Sequence, residues 1–235
     1  MVNMDIVYLV KKTLLNEELR YSLRSLVNLP HNKVFIIGDC PEFINEEKVY
    51  YIPNNKLNSR YETTTNHLKF ACNCNELSNN FILMNDDFFI LNPINEQDLN
   101  LNRGLLKNQV SFYHKNHRPL TNYDRLVENS FKELKNQGFE NPISYELHTP
   151  MILNKNNFLS ILPKLNNESL HCCKRSVYGN YFIKNSNTIK DVKILNNTIF
   201  NPKEERNLLS CSESCWEKIK PYIKEKFNEK CLYEK

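Results

Sequence analysis

Asn85, Asp86 and Asp87 are the residues of this chain best suited to holding a cation. They stand inside one of its most apolar runs, with Phe81-Ile-Leu-Met84 before them and Phe88-Phe-Ile-Leu91 after. Leaving an ionised carboxylate unpaired in such a setting costs several kcal/mol, against a whole-domain stability of roughly 5–15 kcal/mol. Two adjacent aspartates there need either a cation or a capping role in the next element. Mg²⁺ and Mn²⁺ accept one or two carboxylates together with phosphate oxygens and water. The pair therefore suits a metal that receives a diphosphate. Residues two apart share a face of an extended chain, so Asn85 and Asp87 are expected to point together into a crevice.

Composition narrows the ligand. A chain of 235 residues, 40% hydrophobic and 25% charged, has an ordinary globular make-up. Its net charge of +4 permits an anionic substrate. It lacks the broad basic footprint of a nucleic-acid binder, which also counts against a metal-dependent nuclease. Only four glycines are present, and no P-loop or dinucleotide fingerprint is among them. Phosphates must be held by side chains. No apolar run approaches the ~20 residues of a membrane span. The opening MVNMDIVYLVKK lacks the basic start and small-residue cleavage site of a signal peptide. No membrane span and a cytoplasmic location are expected. The eight cysteines are scattered. Cys72-x-Cys74, Cys172-Cys173 and Cys211-x3-Cys215, with His171 near the second, leave zinc as an alternative, but structural zinc uses tighter knuckle spacings. Reduced thiols used for packing are the expectation.

These residues need elements to position them. Met4 to Val10 is a continuous apolar run, predicting a strand covered on both faces. Asn16 is a predicted N-cap, with Glu17 and Glu18 in the first turn. Leu19, Leu23 and Leu26 then repeat at helical spacing, with Arg20 and Arg24 one turn apart on the flank. Lys33–Gly38 is a second predicted strand and Val49–Ile52 a third. Asn66 is read as the cap of another helix, with Leu68, Ala71 and Cys72 inward, before a strand at Phe81. Strands and helices in this rhythm predict an α/β sheet with parallel strands. Ligands gather at the carboxyl ends of such strands, where Asp39 and the acidic triplet both fall. Farther on, Ser111–His114 reads as a short strand and Tyr123–Gln137 as a helix ending at Gly138. Met151–Leu153 is another apolar run, and Ser214–Phe227 a helix interrupted at Pro221. With no repeat or linker, residues 1–235 are expected to form one domain, its nucleotide-binding half at 1–100. The acceptor half and C-terminal helix would occupy 101–235.

Glu18-Leu-Arg-Tyr-Ser-Leu-Arg-Ser25, Lys33-Val-Phe-Ile-Ile-Gly-Asp39 and Phe81-Ile-Leu-Met-Asn-Asp-Asp-Phe-Phe89 resemble the Stealth family of sugar-phosphate transferases. They resemble more closely the short glycosyltransferase-like proteins of bacteriophages and bacteria. Tyr145-Glu-Leu-His-Thr-Pro150, Arg175-Ser-Val-Tyr-Gly-Asn180, Asp191-Val-Lys193 and Leu209-Ser210 extend the likeness, in order, over nearly the whole chain. The resemblance implies a GT-A-like nucleotide-sugar-binding fold with a central, mostly parallel sheet flanked by helices. It makes the acidic triplet the metal and diphosphate motif, with Asp87 and Asp86 holding Mn²⁺ or Mg²⁺ and His148 completing the site. Glu146, two residues from His148 and expected on the same side of a strand, is the acid/base candidate for an acceptor hydroxyl. Arg175 and Lys193 are expected to balance the leaving diphosphate. Arg20 either grips a nucleotide phosphate with its planar fork or lies on a solvated helix flank. Tyr8, Asn66, Lys69 and Asn180 are further donor contacts. His67, His114, His117 and His171 have no motif behind them.

The implied activity is metal-dependent transfer of a sugar from a nucleotide-diphosphate donor to an acceptor such as a polysaccharide, a wall polymer or modified DNA. Stealth proteins usually carry a Trp-Val-Asp-Gly element after the first strand, and here Tyr8-Leu-Val-Lys11 runs almost directly into the helix. Transfer of sugar 1-phosphate is therefore the alternative reaction. A non-catalytic nucleotide- or carbohydrate-binding module is the alternative of another class.

Overall fold

The computed structural model describes residues 4–11, 13, 15–115, 119–167 and 170–235. His117 lies outside them. In chain order the first elements are β1 (Asp5–Val10), α1 (Glu17–Ser25), β2 (Val34–Gly38), β3 (Tyr50–Pro53), α2 (Arg60–Asn73), β4 (Asn80–Met84) and β5 (Phe88–Ile90). Then come β6 (Leu101–Asn102), α3 (Leu106–Lys115), α4 (Asn122–Asn136), β7 (Met151–Asn154), α5 (Lys155–Leu165), β8 (Asn166–Asn167) and β9 (Leu170–His171). The last are α6 (Lys174–Phe182), β10 (Asn187–Thr188), β11 (Lys193–Ile194), β12 (Leu208–Cys211) and α7 (Trp216–Lys226). They fall into two compact units. The first holds the chain up to Leu99 with His148–Lys155 and Val192–Lys235, and the second holds Asn100–Leu147 and Asn156–Asp191.

The first unit is built on a five-stranded sheet in the order β3-β2-β1-β4-β7. β1 to β4 run parallel, and β7 pairs antiparallel with β4. The expected mostly parallel sheet is thus corrected to a mixed one. β7 follows β4 through a long excursion and returns against it, so nothing forces it to be parallel. A smaller sheet, β11-β12-β5, is mixed as well. The core is where the apolar runs predicted it: Ile6, Val7, Phe35, Ile36, Phe81 and Ile82 are all almost fully buried. One charge sits among them. Asp5 accepts bonds at Oδ1 from Asn32 Nδ2 (3.0 Å) and Lys33 N (3.1 Å), and at Oδ2 from Ser78 N (2.8 Å), so it ties the amino ends of β1, β2 and β4 together. In the second unit, Leu106, Tyr113, Val127, Leu134 and Cys173 form a separate core under α3, α4 and α6.

Several local expectations change. Asn16 does precede α1, but in a left-handed conformation (φ 47°) and without capping the helix through its side chain. Its carboxamide instead accepts from the Thr13 backbone and donates to Lys11 O, closing the loop from β1. Asn66 is no cap. α2 starts seven residues earlier, where Ser59 and Glu62 form a reciprocal capping box. Ser111–His114 is helical, inside α3, which turns Leu106, Gln109 and Tyr113 inward and leaves Phe112 exposed. α7 runs through Pro221 without a break. All eight cysteines are free thiols, and Cys72, Cys172, Cys173, Cys211 and Cys215 are buried as packing residues.

A parallel β2–β3 pair needs a crossover, and none of residues 39–49 is helical. The C-terminal segment steadies this loop instead. Asn45 N donates to Tyr233 O (2.8 Å) and Lys235 N to Phe43 O (2.8 Å), beside an Ile44–Glu234 bridge. Glu234 in turn takes a two-pronged bond from Arg24 on α1, with Nε at 2.6 Å and Nη2 at 2.9 Å. Both side chains are shielded, at 9% and 2% exposure. Removing one partner leaves the other charge buried, so Glu234→Gln should cost roughly 3 kcal/mol in urea unfolding. The paired Arg24→Met, Glu234→Leu change should recover most of that loss. A single mutant as stable as the parent would show that the latch contributes nothing.

Candidate metal and diphosphate site

β1, β2, β3 and β4 all point the same way, so their carboxyl ends share one edge of the sheet. From β1 the chain winds outward to β2 and β3 on one side, while β4 takes the other. That reversal between β1 and β4 is the switch point where α/β sheets bind ligands. Lys11 leaves β1 there, Asp39 leaves β2, Asn54 leaves β3, and Asn85–Asp87 leaves β4. Gly38 makes the close approach possible. Its φ is +115°, and a Cβ would meet Val10 O at 2.3 Å.

Asn85–Asp87 is a tight turn, closed by Phe88 N donating to Asn85 O at 3.3 Å. The two-residue alternation of a strand therefore does not apply to it, and the expected pairing of Asn85 with Asp87 on one strand face is corrected. The turn presents Asp86 and Asp87. Burial, with repulsion from Asp87 next, pushes the Asp86 carboxyl up to about 6, against the pull of Lys11 and Arg60. Glu18, in the first turn of α1, is pushed up to about 7 by burial and then by Asp86, Asp87 and Glu213. Three carboxylates thus crowd one another.

The small sheet fixes Asp87. Its register puts Ser210 opposite Phe88 and Lys193 opposite Ser210. Both side chains converge on a single oxygen: Ser210 Oγ donates to Asp87 Oδ2 at 2.9 Å and Lys193 Nζ at 3.3 Å. α1 and the short turn after it, Leu26–Asn28, secure the other end. Ser22 donates to Phe88 O, Ser25 Oγ accepts from Ile90 N at 3.1 Å, and Asn28 Nδ2 donates to Ile90 O at 2.8 Å. Edge strand β5 thereby has its polar backbone satisfied.

The structure brings Asp86, Asp87 and Lys193 together, and reasoning from the sequence missed Glu18, Ser210, Lys11 and Arg60. Of these, Glu18 and Ser210 stood inside quoted motifs, which was the available signal. Tyr8, expected at the donor, is fully buried with its hydroxyl on Ser22 Oγ at 2.9 Å. That correction follows from β1 being central. Arg20 stacks over Phe43 at 4.5 Å and lies 3.7 Å from Glu234. Asn66 donates to Asn54 Oδ1 at 3.3 Å, and Lys69 is exposed on α2. His148 meets Phe88 edge-on, with ring centres 6.5 Å apart. Among the described residues no group of three or more His, Cys, Asp or Glu side chains is arranged to hold a metal. The candidate protein donors are the two hard carboxylates of the turn. That set fits Mg²⁺ or Mn²⁺ sharing its remaining positions with phosphate and water. His67, unsupported by any motif, is buried with Nε2 lacking a hydrogen-bond partner, and its ring abuts the Gly38 backbone.

In the second unit the later motifs are occupied by their own packing. Glu146 Oε1 accepts from Ser176 N (3.0 Å) and Ser176 Oγ (2.9 Å), serving as a cap at the start of α6. Residues 144–147 are irregular rather than the expected strand. Arg175 Nε donates to Tyr145 O at 3.1 Å, and burial draws its guanidinium below the usual arginine range. Asn180 clasps Ile143 through both its carboxamide oxygen and nitrogen, at 2.8 and 2.7 Å. Gly179 leaves room for the Tyr145 ring, which a Cβ would meet at 2.2 Å. A separate cleft of about 440 Å³, lined by Arg103, Thr188, Ile189, Lys190 and Asp191, includes none of the expected site residues.

No family model matches the chain, and no curated protein matches it either. Among the described residues no helix is long and apolar enough to cross a membrane. The site must be read from its own chemistry.

The crowding gives a pH signature. Glu18 holds its proton more tightly folded than unfolded, so its contribution is fully present below pH 4.5 and is lost as pH rises through about 7. Glu18→Gln should match the parent near pH 4.5 and exceed it by pH 8. The gain should be roughly 1 kcal/mol after solvent screening, or about 2–4 °C in melting temperature. Thermal melts across that range test this; a pH-independent difference would remove Glu18 from the cluster.

Proposed function

We propose that this protein is a metal-dependent transferase that uses a nucleotide-diphosphate sugar, on a GT-A-like fold. The observation that carries the reading is the Asp86–Asp87 turn at the β1/β4 switch point. Its two half-buried carboxylates and Glu18 repel one another, so that Asp86 and Glu18 are both harder to ionise. A divalent cation and the diphosphate it accompanies would relieve that crowding. The polar row formed by Lys11, Asp39 and Asn54 continues along the same sheet edge and offers contacts to the rest of a nucleotide.

Each residue then has a task in the first unit. Asp87 and Asp86 hold the metal, Ser210 fixes the angle of the Asp87 carboxylate, and Lys193 supplies a positive charge beside the diphosphate. The bound ion would stabilise the charge that collects on the departing nucleotide. For glycosyl transfer the bond between the anomeric carbon and the diphosphate breaks, the acceptor oxygen takes that carbon, and nucleoside diphosphate leaves.

The test is binding first, then product. Thermal melts with UDP, GDP, ADP and CDP, with and without Mn²⁺, should show metal-dependent stabilisation by at least one of them. Asp87→Asn keeps the shape but removes ligand charge, and should abolish that stabilisation with the fold intact by circular dichroism. With the corresponding sugar donor, chromatography should find nucleoside diphosphate released. Undiminished metal-dependent binding in Asp87→Asn would overturn the site, and release of nucleoside monophosphate would overturn the reaction.

A further inference from the structure

We infer that Lys193 is a resident counter-cation which makes metal binding at Asp87 conditional on the diphosphate, so that the two ligands bind as a coupled pair. This rests on the function proposed above and concerns how that site is regulated. Lys193 Nζ lies 3.3 Å from Asp87 Oδ2, and the two side chains are only 19% and 16% exposed. Shielding of this kind keeps the pair from being screened away as a surface ion pair would be. An incoming divalent cation therefore meets a carboxylate whose charge is already matched.

The hold is built to be released. Ser210 Oγ bonds the same oxygen at 2.9 Å and is itself fully buried, so Asp87 keeps its orientation if Lys193 departs. Lysine carries a compact charge on a flexible four-carbon stem, so Nζ can turn to a phosphate oxygen without moving β11. An arriving diphosphate offers that alternative partner. Asp87 is then free of its ion pair and can take the metal. Linkage requires the converse as well: the metal must strengthen diphosphate binding by the same factor. The other cations near the turn are placed differently. Lys11 is paired with Glu213 at 3.1 Å on the surface, and Arg60 acts on Asp86.

The experiment measures free Mn²⁺ by electron paramagnetic resonance for the parent, Lys193→Met and Lys193→Gln, with and without the four nucleoside diphosphates. The parent should bind Mn²⁺ weakly alone and roughly tenfold or more tightly with its nucleotide, a typical coupling. Both variants should bind Mn²⁺ alone about tenfold more tightly than the parent, and the strengthening by nucleotide should shrink by about the same factor, leaving only what direct metal–phosphate contact supplies. Variants with metal affinity equal to or below the parent's in the absence of nucleotide, or with coupling intact, would overturn the inference while leaving the proposed function standing. A parent that binds no Mn²⁺ with any nucleotide would overturn both.

Discussion

The first unit is organised around a three-residue constraint. β4 belongs to the large sheet and β5 to the small one, and only Asn85, Asp86 and Asp87 separate them. Both strands are buried along nearly their whole length. The turn leaves both aspartates only partly exposed where the two sheets meet. Everything nearby answers that fact. β12 and β11 bring Ser210 and Lys193 to one oxygen of Asp87, α1 brings two serines to the backbone of β5, and the turn after α1 adds Asn28.

α1 shows how much one short helix can be asked to do. Its 3.6-residue period separates the sequence Glu18–Ser25 into faces. Leu19 and Leu23 enter the core. Ser22 and Ser25, three apart, meet β5. Arg20 and Arg24, four apart, face the C-terminal segment and Glu234. Glu18, in the first turn, faces the acidic turn. The motif that resembles a transferase family is thus spent largely on joining β5, the tail and the large sheet, with only Glu18 reaching the site.

Elements with strong local patterns were legible in the sequence. Ile6–Val10, Val34–Ile37 and Phe81–Met84 are unbroken apolar runs in β1, β2 and β4, and Gly138, two residues past the end of α4, has a φ of +89° that suits glycine. Other features depended on information that no local window holds. Arg24 and Glu234 are 210 residues apart, and so nothing near Arg20 or Arg24 reveals that Glu234 is their partner. Asn180 is likewise committed to Ile143. α3 was misread because Phe112 points outward, which breaks the apolar face that would announce a helix. The start of α2 was missed because Thr63, Thr64 and Thr65 weaken its helical signal, while the Ser59–Glu62 capping box outweighs them. At the site, Asp86 and Asp87 stood out for their apolar flanks. Ser210 did not, since a serine in a short strand becomes informative only once its register with Phe88 is known.

Comparing two buried aspartates separates scaffold from site. Asp5 lies at 1% exposure, yet three donors engage both its oxygens, so the carboxylate needs nothing more. It is a joint between three strands. Asp87 has its two donors on a single oxygen, and it stands beside Asp86 and Glu18, each of which its charge makes harder to ionise. A fold that only required a buried acid there would have provided for it as it does for Asp5. Instead one serine hydroxyl and one lysine hold a single oxygen of the carboxylate, with two further acids crowded against it. Such an arrangement is strained as a joint, and it is this contrast with Asp5 that favours the acidic turn as a receptor for positive charge in the function proposed.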